Sequence, residues 1–401
     1  MDEKRTPAPA QTAHESENAE EATAPTCGKS NQQAFAPLGF GFMRLPEIEE
    51  NGEKAFDHET ICTMVDEFMK AGFTYFDTAY GYHDGKSECE LKAALVDRYP
   101  RESFTVATKL PAWMAGNAEE AKAMFDTSLQ KTGAGYFDYY LLHNLGGELT
   151  QLFDDYGIWD FLAEKKAQGL IKHLGFSIHD KADALEAVLD AHPGVDFVQL
   201  QINYADWESD LIESRKCYEA ARKRNIPIII MEPVKGGSLV SLPDAACEVF
   251  KAVDPDASMA SWALRFCASL PGVIAVLSGM STIDQMRDNL RTFTAAKPVT
   301  AEEQDAISRV RAILDGVNAV PCTDCRYCVK GCPEGVKIPV IMESLNTVSK
   351  FGDMHRAQEN YDWNTSDGEA SKCIECGACE AVCPQKIDII AQMKKAASLF
   401  E

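Results

Sequence analysis

Four things are scarce or missing in this sequence, and each absence removes a class of function. No apolar run approaches the roughly 20 residues that a membrane-spanning helix needs, so no helical span is expected. The opening segment, MDEKRTPAPAQTAHESENAEEATAP, lacks the apolar stretch of a secretory signal, so export is not expected and a cytoplasmic location is. Positive charge is in deficit: 39 Lys and Arg stand against 62 Asp and Glu, a net charge of -23. Such a surface repels nucleic acid and anionic membrane, and leaves a basic protein as the macromolecule it would attract. Finally, the one early glycine turn, Gly39-Phe40-Gly41-Phe42-Met43-Arg44, lacks the last glycine of G-x-G-x-x-G and opens no helical pattern. That argues against an open dinucleotide-binding sheet.

What is present is ample apolar content, 45% of 401 residues, enough for one large domain or two to three ordinary ones. Residues 1–33 are rich in Pro, Ala, Glu, Ser and Gln and hold no aromatic residue, so they read as a disordered acidic tail. Cys27 near its end is an inert tail cysteine or a reactive thiol. Short apolar runs then recur at 39–42, 74–77, 105–109, 138–143, 171–177, 197–203, 226–232 and 273–278. Amphipathic patterns lie between them. The stretch 58–71 places Ile61, Met64, Val65, Phe68 and Met69 at helical spacing and stops at Gly72. Others cover 118–131, 159–168, 181–191, 211–224, 256–268 and 282–293. Eight strands alternating with helices predict an α/β fold, a (β/α)8 TIM barrel over 34–316 that includes a last helix at 301–314. An open doubly wound sheet is the alternative.

In such a barrel, catalytic groups come from the C-terminal ends of several strands. Those ends carry Asp77 and, five residues on, Tyr82; then Lys109; then His143. Singly, each is as readily a structural hydrogen-bonding group. Together they make chemical sense. A tyrosine ionises near pH ~10, and a lysine cation beside it would lower that value. A carboxylate would hold the lysine charged, and a histidine could hydrogen-bond a substrate oxygen. That is a site for protonating a carbonyl oxygen while hydride arrives at carbon.

The pattern Asp77-Thr78-Ala79-x-x-Tyr82, Ser87-Glu88, Lys109 and His143 resembles the aldo-keto reductases over about 34–294. The resemblance implies a barrel that uses NAD(P)H, with Tyr82 as proton donor. It implies that Ser177 and Gln201 hydrogen-bond the nicotinamide amide, with Met231 where the family often stacks an aromatic ring. The loop 232–238, with Pro233, Val234, Gly236 and Gly237, would pass under the pyrophosphate. Ser278, Gly279, Met280, Ser281, Gln285, Asp288 and Asn289 would line the adenosine end. The sequence departs from the family in two places. Basic residues that commonly hold the 2′-phosphate of NADPH fall on Gly279 and Gln285, leaving Lys235 or Arg287 as substitutes. The β-hairpin that usually precedes the first strand is shortened or replaced by the tail. Phe42, Trp113 and Leu145 would make an apolar substrate pocket.

Of 14 cysteines, Cys27, Cys62, Cys89, Cys217, Cys247 and Cys267 stand singly, as small apolar residues do. The other eight repeat one spacing, C-x2-C-x2-C-x3-C-P, at Cys322, Cys325, Cys328, Cys332 and again at Cys373, Cys376, Cys379, Cys383. Three thiolates at that spacing wrap one iron–sulfur cubane, and the fourth reaches the other cluster. Cys322, Cys325, Cys328 and Cys383 are therefore assigned to one 4Fe–4S cluster, and Cys373, Cys376, Cys379 and Cys332 to a second. Structural zinc uses cysteine pairs rather than triplets, and a cytoplasmic chain does not favour disulfides. The module resembles two-cluster bacterial ferredoxins. Its long gap, with a helical pattern at Ile341, Leu345 and Val348 and a polar stretch at 353–371, is similar to the helical ferredoxin modules of respiratory reductases. Residues 317–401 thus predict a small, mainly helical ferredoxin-like domain, ended by a helix at 387–399.

A nicotinamide gives up a hydride and clusters carry single electrons, so a flavin usually bridges them; no flavin motif is seen. Three readings follow. The first is a nicotinamide-dependent carbonyl reductase or alcohol dehydrogenase whose clusters exchange electrons with a flavoprotein or ferredoxin partner. The second is a reductase whose clusters are structural or sense oxygen or iron. The third is an electron-transfer or interaction subunit with an idle barrel.

Overall fold

A computed structural model describes residues 35–401 except for 51, 296, 318 and 323–325. The tail, Cys27 and Cys325 lie outside the described residues. Strands β1 (Leu38–Gly41), β4 (Tyr75–Asp77), β5 (Thr105–Leu110), β6 (Phe137–Leu145), β7 (Ile171–Ile178), β8 (Phe197–Gln201), β9 (Ile228–Met231) and β10 (Val273–Gly279) form a closed parallel barrel. β1 completes the ring by pairing with both neighbours, Phe40 opposite Ser278 and Gly41 opposite Asp77. The remaining strands, β2 (Glu47–Glu50) and β3 (Glu53–Phe56), make a separate antiparallel hairpin. The eight expected strands are all present, and the open-sheet alternative falls away.

The barrel strands read as continuous apolar runs because both faces are buried, one under helices and one in the barrel interior. Tyr75, Ala107, Leu141, Phe197, Ile229, Ala275 and Leu277 fill that interior. Its packing explains Gly175 on β7. A Cβ there would meet the Phe197 carbonyl oxygen at 2.4 Å and its ring at 2.7 Å, so only glycine fits. The first helix, His58–Lys70, buries the predicted Ile61, Met64, Val65 and Phe68 and is capped by Asp57, whose carboxylate accepts from Thr60 N at 3.1 Å.

Among the described residues several elements escaped the sequence reading, the helices Ser87–Leu91 and Gly147–Asp155 among them. The hairpin follows the first barrel strand, and Phe56 on it packs edge-on against His83 at 4.9 Å. The helix Asp244–Val253 packs on the helix Ala301–Asp315, and its Phe250 stacks on Trp262 at 4.3 Å. The polar stretch 353–371 contains a helix, Met354–Thr365. Its buried stripe is only Ala357, Tyr361 and Thr365, one residue per turn, too sparse to register as amphipathic.

A second hydrophobic cluster lies beyond the barrel. Ile338, Ile341, Met342, Leu345, Ala357, Tyr361, Ile389, Met393 and Phe400 bring together the helices Ile338–Phe351, Met354–Thr365 and Ile389–Phe400. Tyr361 stacks on Phe400 at 4.9 Å, which folds the C-terminal helix back as expected. This part also grips the barrel: Phe351 packs in the barrel's own core, and Ser238 donates to Asp353 at 3.1 Å. Among the described residues no helix is long and apolar enough to cross a membrane.

Candidate active site

The four side chains singled out at successive strand ends meet in space. Asp77 ends β4, Lys109 is one residue short of the end of β5, and His143 lies in β6 just before Asn144, whose φ of 56° breaks the strand's regularity. Lys109 and Asp77 are buried, whereas Tyr82 and His143 are only partly covered. The Tyr82 loop is held from beneath. Ser87 donates to Phe42 O at 2.9 Å, so the 2.8 Å bond between the Thr78 and Ser87 hydroxyls is donated by Thr78. Thr108 donates to the buried Glu88 at 2.7 Å.

Lys109 organises the centre. Its Nζ donates to Asp77 Oδ1 at 2.5 Å, to Thr78 O at 2.7 Å and to Tyr82 Oη at 3.2 Å. An ammonium has three protons and no acceptor. All three are engaged, and the Tyr82 oxygen is the acceptor in its bond. The phenol's own proton is therefore directed away from Lys109. Burial works against the charge on Lys109, but Asp77 and Tyr82 outweigh it and hold the ammonium above its ordinary range.

Tyr82 itself corrects one expectation. Burial pushes its phenol up, and the downward pull of Lys109 does not compensate, so the group ionises above rather than below the usual tyrosine value. Burial, with Lys109 and His179 nearby, holds the His143 imidazolium well below the usual range, so His143 is neutral. Its ring lies 5.7 Å from that of Tyr82 and 5.2 Å from that of Trp113. Its buried Nδ1 has no hydrogen-bond partner among the described residues. Of the three pocket residues, Trp113 alone stands beside the tetrad in this way. Phe42 and Leu145 are fully buried in the core, Phe42 against Phe40 and Phe76.

The residues expected around a nicotinamide dinucleotide fall on the neighbouring strand ends. Ser177, near the end of β7, accepts from Asn144 N at 2.8 Å. Gln201 ends β8, donates to Asp206 at 3.2 Å and lies 3.3 Å from His179 Nδ1. Met231 ends β9, and Pro233, Val234, Gly236 and Gly237 form the turn after it. Ser278 and Gly279 end β10, where Asn289 donates to Ser278 at 2.9 Å. Met280 is buried; Ser281 N donates to Gln285 at 2.7 Å. Asp288 is committed elsewhere, accepting from Ser258 at 2.6 Å and pairing with Arg291 at 2.9 Å.

The loop after β9 is a tight turn rich in left-handed residues. Glu232, Lys235, Gly236 and Gly237 have φ of 55°, 52°, 64° and 111°. The last three are consecutive, and within the turn Lys235 N donates to Glu232 O and Gly237 N to Val234 O, each at 3.0 Å. A Cβ at Gly237 would meet nothing within 4 Å, which leaves room for a ligand. The cations named as substitutes for the missing basic residues are both taken. Lys235 pairs with buried Asp206 at 2.8 and 2.9 Å, and Arg287 pairs with Glu67 at 2.7 and 3.1 Å. Beside Gly279 lies Arg44, whose side chain begins 3.3 Å from where a Cβ would stand. Arg44 was legible as a residue just past the first strand. Asp206 and Arg356, which also shape this region, carried no linear signal.

The described cysteines of the two runs line two cavities, each partly open to solvent. One is lined by Cys322, Cys328 and Cys383 with Ile338, Met342, Ile387 and Ile389. The other is lined by Cys332, Cys373, Cys376 and Cys379 with Val336, Ile338, Ile390 and Met393. In each, the fourth cysteine comes from the other run, and the rest of the wall is largely apolar. Among the described residues no three His, Cys, Asp or Glu side chains converge as one metal ion requires. Cysteines of both runs set in a largely apolar wall fit a 4Fe–4S cubane, whose thiolates each take a separate iron.

The model of the aldo/keto reductase family matches residues 37–312, and that of a 4Fe-4S dicluster domain matches residues 321–387. The uncharacterized oxidoreductase YqkF of Bacillus subtilis is 25% identical over 275 residues, covering 61% of this chain and 85% of its own. L-galactose dehydrogenase of Arabidopsis thaliana is 25% identical over 300 residues, covering 70% of this chain and 91% of its own. Among solved structures, the holo form of aldo-keto reductase AKR11C1 from Bacillus halodurans superimposes with a TM-score of 0.54 at 22% identity, covering 70% of this chain and 95% of its own. A Klebsiella pneumoniae aldo-keto reductase in complex with NADPH has a TM-score of 0.54 at 21% identity, covering 68% of this chain and 90% of its own.

Proposed function

The chain belongs to the aldo/keto reductase family and carries a 4Fe-4S dicluster domain behind its barrel; from that premise we propose a nicotinamide-dependent carbonyl reductase in which Tyr82 delivers the proton. The observation that carries this reading is the saturated Lys109, which accepts nothing and leaves the Tyr82 proton pointing to the open side of the site. A bound nicotinamide would supply hydride to the carbonyl carbon, and the clusters would supply one-electron storage.

The chain's own groups do the rest. Neutral His143 orients the carbonyl oxygen with a hydrogen bond. Tyr82 passes its proton to that oxygen as charge develops there, and Lys109 stabilises the phenolate left behind. Asp77 keeps Lys109 charged and in place. Ser177 and Gln201 would hold the nicotinamide amide, the Pro233–Gly237 turn the pyrophosphate, and the β10 end the adenosine. The NADPH in the Klebsiella structure supports this cofactor class. Cys322, Cys325, Cys328 and Cys383 would hold one cluster, and Cys332, Cys373, Cys376 and Cys379 the other; the two cavities support that division. Turnover of aldehydes and ketones by the reconstituted, anaerobic protein tests the reading. NADH should serve at least as well as NADPH, because Lys235 and Arg287 are both paired. No turnover with either would overturn it. Bleaching of the cluster absorption by reduced nicotinamide without substrate would favour electron exchange with a partner over structural clusters.

The acid–base groups also set the pH dependence. A phenol raised above its ordinary value stays protonated below pH ~10, and a neutral His143 adds no ionisation near pH ~6.5. Carbonyl reduction should therefore be flat across the neutral range and decline only in strong alkali, read as kcat/KM against pH. A decline already centred near pH ~7 would show a phenol lowered by Lys109 instead.

A further inference from the structure

We infer that Arg356, carried by the dicluster domain, completes the dinucleotide pyrophosphate subsite of the barrel. The inference rests on the nicotinamide-dependent reading above and concerns a residue outside the barrel. Lys235 N and Gly237 N of the loop after β9 are bonded within the turn, so an anion there needs a positive charge. The barrel's own candidates are committed: Lys235 lies against buried Asp206 at 2.8 Å, and Arg287 against Glu67 at 2.7 Å. Among the described residues, the guanidinium packed on this loop comes from the helix Met354–Thr365. A Cβ at Gly236 would meet Arg356 Nε at 2.6 Å and Cζ at 2.9 Å. The glycine that lets backbone approach a ligand thus also makes room for this cation.

Arg356 is placed there by design of the contact, since Asp353 at the start of the same helix accepts from Ser238 of the loop at 3.1 Å and from Arg356 N at 2.9 Å. Yet its side chain is loosely held. Its ion pairs, to Glu232 at 3.4 Å and Glu359 at 3.5 Å, are longer than the ~2.7–2.9 Å of a tight charge-assisted bond. Glu359 is shared with Arg44, at 3.3 Å, which lies beside Gly279 on the next strand end. A guanidinium has five donors in a planar fork suited to phosphate oxygens. Arg356 can therefore turn from two stretched carboxylate contacts to a pyrophosphate without leaving the loop. Without Arg356, Glu232 and Glu359 would face the loop with that cation gone.

The test is binding by the cluster-loaded full chain under anaerobic conditions, followed by intrinsic fluorescence. The probes are NADH, NADPH and ADP-ribose, the last carrying the pyrophosphate without nicotinamide. Arg356→Gln should weaken all three by about tenfold, and Arg356→Lys should recover part of the loss, because charge is kept while the fork is not. The visible cluster spectrum should be unchanged in both. Unchanged dissociation constants in R356Q, with only a lower thermal midpoint, would overturn the inference and make Arg356 a clamp between the two parts. If R356Q loses its clusters, R356K decides: wild-type affinity for all three probes would overturn the inference, and weakened affinity would uphold it. Failure of the unmodified chain to bind any probe would instead bring down the nicotinamide reading itself.

Discussion

Tyr82→Phe is expected to lower carbonyl reduction by about 10²–10⁴-fold, the usual contribution of a positioned proton donor, while dinucleotide affinity stays as it was. The substitution is clean because it removes one oxygen and keeps the ring. That ring still packs edge-on against His143 at 5.7 Å and below Lys109 Nζ at 4.7 Å. Lys109 keeps Asp77 and Thr78 O, two of its three acceptors, so the buried ammonium is not stranded. Removing Lys109 would be a worse probe. It leaves the Asp77 carboxylate buried without its cation, a loss of about 3–5 kcal/mol that mixes folding with chemistry. The effect should appear in kcat and kcat/KM alike, because the lost bond forms in the transition state. Wild-type turnover by Y82F would sink the Tyr82 mechanism. A parent enzyme without activity on any carbonyl would favour the idle barrel.

Cys383→Ser should remove the cluster shared with Cys322 and Cys328, and spare the one bound by its sequence neighbours. Iron should drop from about eight to about four atoms per chain. The cavity linings carry this prediction: Cys383 shares a wall with Cys322 and Cys328, whereas Cys332 shares one with Cys373, Cys376 and Cys379. A pair of double variants decides it. C322S with C383S should lose no more iron than either alone, because both strike one cluster. C376S with C383S should lose nearly all of it. The reverse outcome, additivity in the first pair and none in the second, would mean that each run binds its own cluster. A stability loss should accompany the iron loss, because Cys328 and Cys379 are themselves part of the second hydrophobic cluster.

Much of this protein is legible in the chain because it depends on local spacing. Strands buried on both faces must be apolar throughout, and helices between them must show one apolar stripe, so the eightfold alternation is visible without coordinates. Asp77, Lys109 and His143 are readable because a strand end in such a barrel has one destination, its C-terminal mouth. The cysteine triplets are readable because i, i+3 and i+6 thiolates can reach one cubane. Tertiary structure alone decided the rest. The direction of the Tyr82 ionisation is set by how many atoms surround the phenol, which no spacing encodes. The pairing of Lys235 with Asp206 and of Arg287 with Glu67 joins residues on different elements. The helix Met354–Thr365 was hidden because its buried face is so narrow. Its Arg356 reaches Glu232 across 124 positions of chain. A contact at that separation follows from how two packed units meet, and the sequence near either residue carries no trace of the other.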